Sequence, residues 1–511
     1  MDRKLKHNIM QIIKPLILTC LLISQGYLFS QSLTDGQVRI LSLDESMEIA
    51  GNNSPAIQKS KLNMEKNKEY LNAQIASLKS RFFLDVSPVN FNREQRYDER
   101  FSEWYTSENK GASASFVVSQ PVKFTDGLFT IRNNFGYQDN YSEANSTTYK
   151  DKGYNNSLYL QYDQPVFTYN RLKLNLDRIR LNLETATMAY AIEMLNMEYQ
   201  VNQAFYSVYQ RQSAVQIAEE EFANQEVSLE IIKSKVEAGL SAKEELLQAE
   251  LNYATSVLDL DNRRVELANA RDQFKYLIGM SLYDGISVIS DIEFELVYVN
   301  LDKAIENGLS NRLELTQRNI DLKMSEFNLT ETSAENEFRG DVSLSVGVMG
   351  NNSDFGRIYD KPTNSPSFGV TFSIPLFDWG QRKAKIKAAE IEIESKQIDI
   401  DDQKNDIIIN IRKTYRNLQN LVNQIDIARQ NEKNAQLTYD INLERYQNGD
   451  LTSIDLQRFQ NQLSEKKTSR VNALIDYKLE IINMKVQSLW DFENDKSFIP
   501  KELQENISSD N

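Results

Sequence analysis

Between Phe167 and Gly239 the chain carries neither glycine nor proline, and its apolar residues Leu172, Leu176, Ile179, Leu183, Met194, Met197, Val201, Phe205, Val208 and Val215 recur at steps dominated by three and four. That is the period of an α-helix with one apolar stripe. Sustained over about seventy residues at 1.5 Å each, it makes a rod of roughly 100 Å. The stretch from Phe377 to Gly449 repeats the pattern, and after each glycine a second helical pattern follows, Ser241 to Gly279 and Thr452 to Trp490. Each half is therefore expected to present a long antiparallel helical hairpin that turns at a glycine. Rods of this length hold little globular core of their own, so they need neighbours and oligomerisation is implied.

The two halves are an internal repeat. Gln164-Pro165-Val166-Phe167 matches Ile374-Pro375-Leu376-Phe377 at an offset of 210, and Gly239 matches Gly449 at the same offset. Leu43-Asp44-Glu45-Ser46-Met47-Glu48 resembles Leu301-Asp302-Lys303-Ala304-Ile305-Glu306 at an offset of 258, each opening an amphipathic helix. The 48-residue difference therefore falls between the opening helix and the Pro-aromatic motif of the first half.

The blocks ahead of the long helices have period two. Val342, Leu344, Val346 and Val348 alternate with Ser343, Ser345 and Gly347; Phe368, Val370, Phe372 and Ile374 alternate with Gly369, Thr371 and Ser373; the first half does the same with Leu158, Leu160 and Tyr162. Strands apolar on one side and small or polar on the other fit a lipid-facing exterior and a wet lumen. Phe82, Phe83, Trp104, Tyr105, Tyr159, Tyr162, Phe167, Phe377 and Trp379 crowd the ends of these blocks, as interface girdles do. The extra residues of the first half suggest one more hairpin, Phe116 to Lys123 and Phe129 to Tyr137, around Thr125-Asp126-Gly127, and leave open whether it joins the same sheet. The polar, Tyr-rich stretches Asn90 to Lys110 and Asp139 to Asn156 are expected to be exposed loops. Ile292, Phe294 and Val297, in the segment between the halves, suggest a short strand that with the tail forms a small belt outside the rods.

Arg3, Lys4, Lys6 and Lys14 precede an apolar run from Pro15 to Phe29, the pattern of a secretory signal cleaved somewhere between residues 26 and 31. No later stretch approaches the twenty apolar residues of a spanning helix. The only histidine, His7, and the only cysteine, Cys20, lie inside the signal. Without imidazole or thiol, the rest of the chain excludes Ser-His and Cys-His nucleophiles, thiolate or imidazole zinc sites and disulfides. Outside the signal, 58 Lys and Arg against 73 Asp and Glu become 54 against 72, a net charge of −18. That balance argues against nucleic acid as a partner.

In order along the chain, these features resemble the TolC-type outer-membrane efflux proteins, over essentially the whole length after the signal. Leu43 to Pro55 is similar to the family's opening helix. Ser373-Ile374-Pro375-Leu376-Phe377-Asp378-Trp379-Gly380 is similar to its strand-to-helix motif, with a weaker copy at Asp163 to Tyr169. Tyr446-Gln447-Asn448-Gly449 through Ser453-Ile454-Asp455-Leu456 resembles its hairpin tip, and Ala238-Gly239-Leu240 through Glu245-Leu246-Leu247 is the first-half equivalent.

The resemblance implies a mainly α chain with membrane β. Two helix, β-hairpin, helix repeats would form, as a homotrimer, a 12-stranded outer-membrane β-barrel continued by a long periplasmic α-helical barrel. It implies a non-enzymatic conduit without cofactor or metal, set in outer-membrane lipid of a Gram-negative cell. A periplasmic adaptor would dock at the tips and an inner-membrane pump would supply the energy. Val236, Gly239, Leu240, Tyr446, Gly449 and Leu451 are the expected docking residues. Glu245 and Asp455, six residues past their glycines, are candidates for an acidic entrance ring, with solvated helix carboxylates as the plainer reading.

The expected division is a signal over 1–30 and a first repeat over 31–290, with helices 43–80, 168–238 and 242–280, a β region 82–167 and a tip 239–241. A second repeat covers 291–490, with helices 301–337, 378–448 and 452–490, a β region 340–377 and a tip 449–451. A tail covers 491–511. A secreted coiled-coil structural or adhesion protein is the competing reading, and a carboxylate-dependent hydrolase a more distant one.

Overall fold

A computed structural model describes residues 38–99, 102–144, 147–289 and 294–498. The expected signal, Ile292 and most of the tail lie outside these residues.

The helices are α1 (Leu43–Asn53), α2 (Pro55–Ser77), α3 (Arg171–Glu237), α4 (Lys243–Ile278), α5 (Leu301–Asn311), α6 (Leu313–Ala334), α7 (Gln381–Gln447) and α8 (Ser453–Ser488). α3 and α7 are 67 residues each, α4 and α8 are 36 each, and all four boundaries are related by the 210 offset. The expected continuous helices 43–80 and 301–337 are both corrected, because each is broken into two. Pro55 breaks the first, since its ring bars the residue before it from helical geometry. The second breaks at Arg312, with φ −63° and ψ 122° and no proline. Arg312 stands 258 positions after Ser54, so the kink obeys the repeat. Its guanidinium, largely buried, bonds Glu314 and the Gln487 side chain, which holds the extended backbone in place.

The helices form an arc. In the half near the sheet their order is α2, α3, α6, α7; in the half near the tips it is α4, α3, α8, α7. The main core lies mid-rod, where Val201, Phe205 and Val208 of α3 pack on Leu41, Ala50 and Ile57, on Phe274 and Ile278 of α4, and on Ile286 and Val288.

The strands are β1 (Arg39–Leu41), β2 (Arg81–Asp98), β3 (Glu103–Val122), β4 (Gly127–Ala144), β5 (Thr147–Val166), β6 (Ile286–Val288), β7 (Arg339–Asn352), β8 (Thr363–Asn364), β9 (Ser367–Ser373), β10 (Trp490–Asp491) and β11 (Lys496–Ser497). One antiparallel sheet runs β2, β3, β4, β5, β7, with β8 and β9 both on β7. The first repeat therefore contributes four strands rather than one hairpin, and the hairpin around Thr125-Asp126-Gly127 is part of the sheet. The two stretches expected to be exposed loops are also corrected. Asn90 to Lys110 is most of the outer part of β2 and β3, and Asp139 to Asn156 that of β4 and β5. An apolar alternation test misses strands whose side chains are mostly polar on both faces. Cross-strand pairs such as Arg93 with Glu108 (3.4 Å), Asp139 with Lys152 (3.1 Å) and Tyr137 with Tyr154 hold them instead.

The strand expected near Ile292, Phe294 and Val297 is absent from residues 294–300. That segment is extended and tied by Tyr477, whose hydroxyl donates to the Glu295 carbonyl (3.1 Å) and accepts from the Val297 amide (3.0 Å). Two short sheets arise elsewhere: β1 pairs parallel with β6, and β10 antiparallel with β11.

Candidate functional site

Both hairpin tips close by the same device. The amides of Gly239 and Leu240 donate to Val236 O (3.0 Å) and Lys235 O (2.8 Å), and those of Gly449 and Asp450 donate to Tyr446 O (3.1 Å) and Arg445 O (2.9 Å). These are Schellman caps, which require a left-handed residue after the helix. Gly239 and Gly449 supply it at φ +72° and +89°, and nothing lies within 4 Å of a Cβ placed on either.

The expected docking residues divide between surface and core. Gly239, Gly449 and Leu240 (80% exposed) form the surface. Val236 and Leu451 are half-buried, and Tyr446 is only 1% exposed, in a cluster with Ile232, Ala249, Tyr439, Leu456 and Leu463. Burial pushes the Tyr446 hydroxyl pKa up. Tyr446 therefore fastens the two tips together. Lys235 of α3 donates to its carbonyl (3.0 Å) and stands 5.0 Å from its ring centroid, while its hydroxyl meets Ser228 Oγ at 3.3 Å. Higher on the rods Gln225 donates to Gln460 (3.0 Å), which donates to the Glu221 carbonyl (3.2 Å). Nothing in the sequence distinguishes Lys235, or the buried pair Gln225 and Gln460, from the many solvated Lys and Gln of these helices.

Glu245 and Asp455 each occupy the third position of their helix. Thr452 caps α8, accepting from the Asp455 amide (3.2 Å) while its hydroxyl donates to the Asp455 carboxylate (2.8 Å). The Ser241 hydroxyl donates to Glu245 in the same manner, although α4 has Ala242 at its cap and so lacks a side-chain acceptor there. Both acids favour the helix N-terminus whatever else they do.

At the other end, the cross-strand register puts Phe82, Leu84 and Val86 of β2 on the same face as Val118 and Phe116 of β3, Phe129 and Ile131 of β4, Leu158, Leu160 and Tyr162 of β5, Leu344 and Val346 of β7 and Phe368, Val370 and Phe372 of β9. All of these but Val118 and Tyr162 are among the large exposed hydrophobics. The opposite face presents Ser113, Ser115, Asn134, Ser157, Ser343, Ser345, Gly347 and Ser367, joined by bonds such as Ser115 to Asn134 (2.7 Å) and Ser343 to Asp163 (2.7 Å), with Phe83, Val117, Tyr159 and Met349 among them, so Phe83 and Tyr159 lie on this face and not in the lipid-side rows.

Two aromatic rows bound the apolar band. Phe129 and Tyr162 meet near the helices with centroids 4.3 Å apart; Phe135, Tyr137, Tyr154 and Phe355 form the upper row. Eight residues separate Tyr162 from Tyr154 on β5, about 27 Å of strand, or about 20 Å of height at a 40° tilt, which suits a bilayer's apolar thickness in such barrels. Of the girdle residues read from sequence, Trp104 pairs with Tyr97 at the far turn, beyond this band, because β2 and β3 are longer than expected. No described helix is long and apolar enough to cross a membrane.

At the junction of sheet and rods, Asp378 accepts from the amides of Gly380 and Arg382 (both 2.9 Å), which hold its carboxyl below the usual range. The β3–β4 turn does the equivalent for α3: Asp126 accepts from Leu172 N (3.0 Å) and Arg171 Nε (2.9 Å), and Asn170 donates to Lys123 O (2.7 Å).

A model of the family described as "Outer membrane efflux protein" matches residues 131–280 and 309–483. The chain is 24% identical over 294 residues to the cation efflux system protein CusC of Escherichia coli (strain K12), an alignment spanning 56% of this chain and 63% of CusC, less than two thirds of that relative. It is 19% identical over 361 residues to outer membrane protein TolC of Salmonella enteritidis, spanning 69% of this chain and 72% of TolC. The fold is similar to the Campylobacter jejuni CmeC outer membrane channel, with TM-score 0.68 and 13% identity over 91% of this chain and 88% of that one. With the family model matching both halves of the repeat, the chain belongs to the outer membrane efflux protein family.

Proposed function

We propose that the chain is one of three identical subunits of a passive export conduit, with the sheet in the outer membrane and the rods crossing the periplasm. The observation that carries this reading is the pair of uncovered edges on the arc. α7 is the lateral helix on one side and exposes Ile391, Ile398, Ile409, Ile427 and Ile441; α4 and α2 are lateral on the other and expose Leu247, Leu251, Leu258 and Val265, and Leu62 and Tyr70. Stripes of this size at helical spacing need a partner, and head-to-tail packing of α7 on the α4/α2 edge of the next copy closes a ring. Four long helical positions per chain and three chains give a twelve-helix tunnel.

The tips, with Gly239, Leu240 and Gly449 bare and Tyr446 bracing them from behind, offer a small backbone-rich surface on which a periplasmic adaptor docks, and an inner-membrane pump drives transport. Three copies each of Glu245 and Asp455 line the entrance as an acidic ring that favours cations. Conduction requires no catalytic group. The coiled-coil adhesion reading leaves the two-faced sheet and its aromatic rows without a purpose.

Native mass measurement after extraction in mild detergent tests the assembly. Three copies that insert into lipid vesicles are expected; a water-soluble monomer that ignores vesicles contradicts the reading.

A further inference from the structure

We infer that the barrel closes with eighteen strands, six from each of three copies, and that β2 of one subunit pairs with β9 of the next. This rests on the trimeric conduit proposed above. A barrel of twelve strands needs four per chain, the number given by β4, β5, β7 and β9. β2 and β3 would then have to leave the sheet.

Several observations keep β2 and β3 in the wall. They are paired with the rest in continuous antiparallel register, interrupted only between Ser87 and Asn90. Their apolar residues Phe82, Leu84, Val86 and Phe116 share the lipid-side face at the level of Ile131, Leu160 and Val346, and their other face carries Asp85, Ser113 and Ser115 together with Phe83 and Val117. Their base is anchored: Gln120 donates to the Leu78 carbonyl at the end of α2 (3.0 Å), and the turn after β3 caps α3 through Asp126.

The free edges match. β2 follows α2 and β9 precedes α7, so the outer strands of the sheet stand above the outer helices of the arc, and the same rotation that seats α7 on α2 of the neighbour brings β9 to β2. The strands alternate in direction from β2 to β9, so the new pair is antiparallel. An unpaired edge at the level of Leu84 or Val370 would leave backbone groups unsatisfied in hydrocarbon, which membranes do not tolerate.

Circumference agrees. A strand tilted about 40° takes roughly 6 Å of perimeter, so twelve strands span about 75 Å and eighteen about 113 Å. Twelve helices spaced 8–10 Å need about 96–120 Å. Eighteen strands therefore sit on the tunnel with little taper and leave an outer mouth as wide as the tunnel itself, suited to bulky or polypeptide cargo.

Cysteine cross-linking in the full-length protein in outer membranes tests this, since the described residues contain no cysteine. Cysteines are placed one at a time at the lumen-side positions Phe83, Asp85 and Ser87 of β2 and combined with Ser367, Gly369 or Thr371 of β9; Thr130 and Asn134 of β4 are combined with the same β9 set. Oxidation is expected to give covalent dimers and trimers for at least one β2–β9 combination and none for β4–β9. β4–β9 cross-links, or membrane-inserted trimers in which no β2–β9 combination reacts, overturn the eighteen-strand barrel and leave the conduit intact. A soluble, uninserted chain sinks both.

Discussion

The glycines that end the helices differ in what surrounds them, and substitution separates conformation from space. Gly279 ends α4 at φ +75°, and a Cβ there would lie 2.2 Å from the Asn53 carbonyl oxygen, in the break between α1 and α2. Gly279→Ala combines left-handed strain with a backbone clash and is expected to cost about 3 kcal/mol or more. Gly239→Ala has the strain without the clash and is expected to cost about 1 kcal/mol. Chemical denaturation of the detergent-held protein measures both.

Glu198, on α3, has its carboxyl pushed up to about 7, chiefly by burial, with Asp491 adding to the rise and Lys485 opposing it. A raised carboxyl binds more protons folded than unfolded between about pH 4.5 and 7, so its penalty grows as pH rises through that window. Glu198→Gln is expected to stabilise the rods at pH 8 by on the order of 1 kcal/mol, and to change little at pH 4.5. Equal effects at the two pH values would remove Glu198 as the cause.

At the scale of elements, α4 begins without a side-chain cap at Ala242 where its repeat partner α8 has Thr452. Ala242→Ser is expected to add about 0.5–1 kcal/mol to the first tip, read as slower amide exchange at the start of α4. Lys235→Met removes the bond to the Tyr446 carbonyl and should loosen one tip from the other, so exchange at both tips speeds up.

The long rods were legible because their period is unbroken over many turns and glycine marks their ends. The kink at Arg312 was not, because it depends on Glu314 and Gln487, the latter supplied by a helix far along the chain. The outer parts of β2 to β5 were hidden for a different reason: mostly polar on both faces, they have no apolar alternation to read. Among the site residues, the turn role of Gly239 and Gly449 followed from residue type alone. The burial of Tyr446 depended on how the two hairpins pack, which local sequence does not encode.

For the whole molecule, the trimer proposed here closes the arc and the sheet on edges that lie on the same two sides. Leu251→Lys with Leu258→Lys places charge on one edge without touching the chain's own core, since both side chains are exposed. The double variant is expected to fold with unchanged helix content and to lose the trimer in sedimentation; a trimer that survives would move the subunit contact elsewhere.

Single-channel recording in planar bilayers, on the wild type and on Glu245→Ala with Asp455→Ala, is the most direct test that three chains form a duct with an acidic entrance. Discrete steps with cation preference that falls in the double variant are predicted. Silence from both proteins, with neither inserting, would contradict the account.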